Sequence, residues 1–117
     1  MILALATLVA SQLIGLDDKL SEDTRAMAQP YWDCVVFYAT DLEKSGGSAS
    51  EVASAAKHAC RERKLDLWAA ISVDLLAAGL AEEHTADQLM VGFEDELTSE
   101  VVLNVLTVRR LAANDRP

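Results

Sequence analysis

The chain is short of the residues that usually announce chemistry. In 117 positions it has two histidines, His58 and His84, two cysteines, Cys34 and Cys60, two prolines, five glycines and six aromatic side chains. So few histidines leave an activated nucleophile almost no base to draw on. His58 stands two residues from Cys60, which on a helix turns the two side chains apart, and His84 directly precedes a threonine that reads as a helix cap. No glycine-rich phosphate loop, nucleophile elbow or His-Glu metalloprotease pattern occurs. A zinc site made from Cys34, Cys60 and His84 lacks a fourth ligand and the closely spaced pairs of structural zinc motifs. The acidic run at residues 17–23 lacks the glycine and the distal glutamate of an EF-hand loop. This inventory predicts a non-enzymatic protein with no metal and no cofactor.

Positive charge is also scarce. Between residues 65 and 100 there are nine carboxylates and no lysine or arginine, within a chain whose net charge is −9. Such a surface repels phosphate backbones and anionic membranes, which argues against nucleic-acid partners. The basic residues that do cluster, Lys57, Arg61, Arg63 and Lys64, read as a solvated helix face. The pair Arg109-Arg110 falls in the last turns of a helix, where it complements exposed carbonyls.

Alternating runs of β-branched residues are absent, and alanine and leucine supply much of the 51% apolar content. Nothing reads as a strand, and the composition favours helices. The longest apolar stretch is residues 1–16, MILALATLVASQLIGL, which resembles a secretory signal peptide in its apolar segment and in the small residues that follow. It departs from that pattern in having no lysine or arginine ahead of the apolar run. A spanning helix needs ~20 apolar residues, so no stable membrane span is expected once a leader is removed. The alternative is an N-terminal apolar helix that stays on the protein.

What the sequence does contain is punctuation. Tyr31, Cys34, Val35, Tyr38 and Leu42 recur at helical spacing behind Pro30, whose missing N–H suits a first turn. Ser45-Gly46-Gly47 ends that helix, and Ser48 with Glu51 forms a capping box that starts another near residue 49, with Val52, Ala56, Ala59 and Cys60 as its stripe and Ala53 and Ala55 beside it. Cys34 and Cys60 each lie 13 residues from Gly47. Folding the two arms together about that glycine sets them at one height, on the apolar faces that must meet, which predicts a Cys34–Cys60 disulfide. The second arm contains no glycine or proline up to residue 78, so periodicity leaves open whether it is one helix or breaks near residues 61–64. Asp74 falls on its polar stripe and is expected to be exposed. Gly79-Leu80 marks a helix end. Thr85 with Gln88 forms a second capping box, opening a stripe of Ala86, Leu89, Met90, Phe93 and Leu97 that extends through Val101, Val105, Val108 and Ala112 unless Thr98-Ser99-Glu100 caps a separate helix.

The expected architecture is all-α: a small bundle of four to five helices built on a disulfide-stapled hairpin, with residues 17–117 as a single helical domain behind the leader or apolar helix of residues 1–16. Of the four aromatics near the first cysteine, Tyr31 and Tyr38 are expected to line the core and Trp32 and Phe37 to pack under flanking helices. The alternative groups Tyr31, Trp32, Phe37 and Tyr38 into a partner-binding or ligand-binding surface. A disulfide together with a leader predicts an exported protein, periplasmic or secreted, that serves as a protein-interaction or envelope-assembly module with a protein partner or a second copy of itself. Two other readings stand beside it: a carrier of a small apolar ligand, and a cytoplasmic helical regulator with reduced thiols.

Overall fold

A computed structural model describes residues 20–114, all of whose regular structure is helical. The leader expected at residues 1–16 lies outside the described residues.

Helix α1 (Glu22–Ala26) is a short lead-in capped by Ser21, whose hydroxyl accepts a 3.1 Å bond from the Thr24 amide. Met27 keeps helical dihedrals, so α1 runs almost directly into α2 (Ala28–Leu42). Pro30 occupies the first turn of α2, where an amide would have no partner within that helix. The helix tightens into a 3₁₀ turn, Glu43–Ser45, and stops at Gly46, whose φ of 86° suits a residue without a Cβ. Helix α3 (Ala49–Ala59) opens on the expected capping box: the Glu51 amide donates to Ser48 Oγ at 3.1 Å, and the Ser48 amide donates to Glu51 Oε1 at 3.0 Å. The bonds from the Ser48 amide and hydroxyl hold the Glu51 carboxyl below its ordinary pKa. Replacing the cap, Ser48→Ala, is expected to lower stability by about 1 kcal/mol. Urea unfolding would read this as a lower midpoint at constant slope.

The second arm does break, at Cys60. Its dihedrals, φ −102° and ψ 17°, leave the helical region, although its amide still donates to Ala56 and Lys57 and its carbonyl accepts from Lys64. The result is a change of direction into α4 (Arg61–Ala77) rather than a loop. Helix α4 ends in a Schellman closure, with the Leu80 amide donating to the Leu75 carbonyl at 2.8 Å, the Gly79 amide to Leu76, and Gly79 at φ 73°. The second capping box, Thr85 with Gln88, then opens α5 (Ala86–Asn114), which runs for 29 residues straight through Thr98-Ser99-Glu100.

Cross-helix contacts fix the topology. Helices α2 and α3 form the antiparallel hairpin. Helix α5 runs parallel to α2, since Tyr31 meets Glu94 and Glu43 meets Arg109 at nearly equal separations. It runs antiparallel to α4, where Lys64 meets Glu94 and Trp68 Nε1 donates to Asp87 Oδ1 at 2.9 Å. The core is one apolar cluster shared by all of these elements, with Phe93 at its centre, 6.0 Å from the ring of Tyr31 and 5.8 Å from that of Trp32.

Two stripes are narrower than expected. On α3, Val52, Ala53, Ala56 and Cys60 are buried, whereas Ala55 and Ala59 face solvent because α2 and α5 press on one side only. On α5 the last buried residue is Val105. Val108 and Ala112 are exposed, because the hairpin turn ends the packing surface at the level of Arg109.

Asp74 also departs from expectation. It is half-buried, and its Oδ2 accepts a 2.7 Å bond from the Ser21 amide, tying α4 to the start of α1. Burial by itself would raise its pKa; the bonds from the Ser21 backbone and from the Thr24 and Ser21 hydroxyls outweigh burial and hold it below the ordinary aspartate value. A depressed folded pKa means that this stabilisation is present above the unfolded value, near 4, and is lost as pH falls through the lower folded one. Asp74→Asn is therefore expected to be less stable than wild type at neutral pH and to lose less stability on acidification, which urea midpoints measured down the acid limb will compare.

Candidate functional site

The predicted bridge is present: Cys34 and Cys60 are bonded, with Cα atoms 6.0 Å apart, inside the ~4.4–6.8 Å that a disulfide spans. Cys60 is buried at the α3–α4 junction and Cys34 is partly exposed on α2.

Phe37 and Tyr38 lie one turn beyond Cys34, so the three side chains share a face of α2. That face borders a wide, open depression whose other wall comes from the α3–α4 junction through Ala59, Glu62 and Arg63, with Pro30 and Asp33 completing the rim. Phe37 is 68% exposed, and its ring meets Tyr38 edge-on at 5.4 Å and 90°. Tyr38 is 39% exposed. The arrangement is an aromatic pair beside a disulfide with carboxylates and one guanidinium around it. Such a patch offers apolar area at its middle and polar contacts at its edge, which is the composition of protein contact surfaces.

The four aromatics singled out in the sequence therefore part company. Tyr31 and Trp32 are core residues, 0% and 2% exposed, and contribute nothing to this surface. Tyr38, expected inside, lies at its rim, and Phe37, expected under a neighbouring helix, is open to solvent.

Tyr31 instead anchors a polar network that sequence reading missed. Its hydroxyl donates to Glu94 at 2.9 and 3.0 Å, and the same carboxylate pairs with Lys57 at 2.9 Å and Lys64 at 3.2 Å. Lys57 also donates to Thr98 Oγ1 at 3.2 Å. Lys57 and Lys64, expected on a solvated face, thus reach across to α5. Burial, then the Glu94 charge, then the hydrogen bond to it push the Tyr31 pKa far above the ordinary phenol value. Tyr31 is fully buried, and through Glu94 the network ties α2, α3 and α4 to α5. A signal for Glu94 was available: it falls four residues after Met90 and three before Leu97, on the flank of the apolar stripe.

A smaller groove runs between α2 and α5, lined by Val36, Ala39 and Thr40 on one side and Val101, Asn104, Val105 and Val108 on the other, with a volume of about 180 Å³. Among the described residues, no group of three histidine, cysteine, aspartate or glutamate side chains is placed to hold a metal ion, and no helix is long and apolar enough to cross a membrane. Comparison of the chain with protein-family models, with curated proteins and with solved structures yields no match.

Proposed function

We propose that this protein works in an oxidising, extracytoplasmic space as a non-enzymatic helical module that makes protein contacts through the surface around Phe37 and Tyr38. The observation that carries this reading is the Cys34–Cys60 bond, since thiols in reducing compartments are kept apart by glutathione and thioredoxin systems. The leader-like residues 1–16 and the exposed aromatic pair beside the bridge support it. The carrier alternative rests on the α2–α5 groove. At about 180 Å³ it is close to the ~150 Å³ cavity that holds benzene and below the ~300 Å³ at which sites for larger organic ligands begin.

Cell fractionation combined with alkylation before reduction tests the proposal. The expected result is protein in the extracytoplasmic fraction with neither cysteine alkylated. Cytoplasmic protein carrying two alkylated thiols would overturn it in favour of the reduced regulator. For the contact surface, a Phe37→Ser/Tyr38→Ser variant should fold with near wild-type stability and lose its crosslinks to partner proteins in whole cells. Unchanged crosslinks would remove the surface from the proposal.

A further inference from the structure

The outer face of α5 carries a pattern that the bundle does not use. Glu96, Ser99, Leu103, Leu106, Arg110 and Ala113 follow one another at alternating steps of three and four, the spacing of a coiled-coil seam. All six are exposed, Leu103 by 61% and Leu106 by 52%, on the side of the helix away from the buried stripe of Met90, Phe93, Leu97 and Val101. Charge along the seam is segregated. Asp95, Glu96 and Glu100 occupy its first turns, Arg110 its last, and residues 101–114 contain no carboxylate. None of Glu96, Glu100 and Arg110 has an ion-pair partner among the described residues.

We infer that this face pairs with the same face of a second copy, the two α5 helices running antiparallel about a twofold axis between Leu103 and Leu106. That register sets Leu103 against Leu106 of the other copy and Arg110 against Ser99, with Glu96 one turn further on. Each arginine then meets an acidic turn at both ends of the contact. A parallel pairing would stack Arg110 on Arg110 and Glu96 on Glu96, so the charges select the antiparallel arrangement. The twofold makes the patch self-complementary and closes the assembly at two copies. From Glu96 to Ala113 the seam spans about 26 Å of helix at 1.5 Å per residue, a short two-helix contact for which a weak, concentration-dependent dimer is expected. The inference is independent of the compartment proposed above and of the Phe37–Tyr38 surface, which belongs to α2.

Sedimentation equilibrium of the purified oxidised protein, from about 10 μM to about 1 mM at low salt, provides the test. The expected result is a reversible monomer–dimer equilibrium that Leu106→Glu weakens by at least tenfold. Glu96→Arg and Arg110→Glu should each weaken it, and the two together should restore it. Circular dichroism should be unchanged in all four variants, since every altered side chain is exposed. A protein that stays monomeric throughout, a dimer indifferent to Leu106→Glu, or a double charge exchange no tighter than its parent variants would each overturn the inference. The first of these outcomes leaves the face to another protein or to the chain's own apolar residues 1–16.

Discussion

Without the Cys34–Cys60 bond, the melting temperature is expected to fall by roughly 15–25 °C. The bridge closes a loop over a separation of 26 residues, and on the chain-entropy account such a closure withholds about 3.5 kcal/mol of disorder from the unfolded chain. For a domain of this size each kcal/mol corresponds to several degrees, and 3.5 kcal/mol is a large share of the ~5–15 kcal/mol that small proteins possess. Thermal unfolding followed by circular dichroism, with and without reductant, measures this directly. Cys34→Ala/Cys60→Ala gives the same comparison without reducing agent and without burying a hydroxyl at position 60, where the side chain is enclosed. A loss of only a few degrees would mean that helix packing holds the hairpin closed unaided.

The second large effect belongs to Phe93. Phe93→Ala is expected to cost about 3–5 kcal/mol, from the lost transfer of the ring and from the cavity left behind. The upper part of that range applies because the neighbours are poorly placed to fill the space. Tyr31, whose ring faces Phe93, is held by its hydroxyl at Glu94, and moving inward would break that bond. Phe93→Leu keeps most of the volume and is expected to cost about half as much. Phe37→Ala removes a ring of the same size from a 68% exposed position and should change stability by less than about 0.5 kcal/mol. Urea unfolding of the three variants side by side reads the difference. Equal costs for Phe93→Ala and Phe37→Ala would contradict the division of the aromatics into core and surface.

That division marks where the sequence stopped being readable. Helix ends were legible because each is decided by a few neighbouring residues: Ser48 with Glu51, Thr85 with Gln88, Gly46, Gly79 with Leu80. The bridge was legible because a hairpin pivot converts sequence distance into height. The aromatics on α2 were not, because apolar residues cover more than one stripe of that helix, and the stripe that turns inward depends on where α5 lies. With Trp32 facing Phe93, the buried face is centred on Val35, and Tyr38 is rotated to its edge although it stands two turns from buried Tyr31. The bend at Cys60 has no glycine or proline to announce it; it is written in the packing of α4 against α1 and α5. The partners of Glu94 were hidden for a third reason. Its place on the flank of the α5 stripe is legible, but nothing in the sequence says that lysines from two other helices will converge on it.

Glu94 touches α2 through Tyr31, α3 through Lys57 and α4 through Lys64, so one carboxylate from α5 reports on the placement of all three. Leucines and valines tolerate sliding, since one apolar neighbour serves nearly as well as another. A slip of α5 by one turn, about 5.4 Å, would present Met90 or Thr98 to the buried phenol and leave two ammonium groups without their counter-ion. The apolar face supplies the drive to associate, and this single side chain penalises every misaligned assembly, acting as a vernier for a bundle whose leucines and alanines would otherwise accept several alignments.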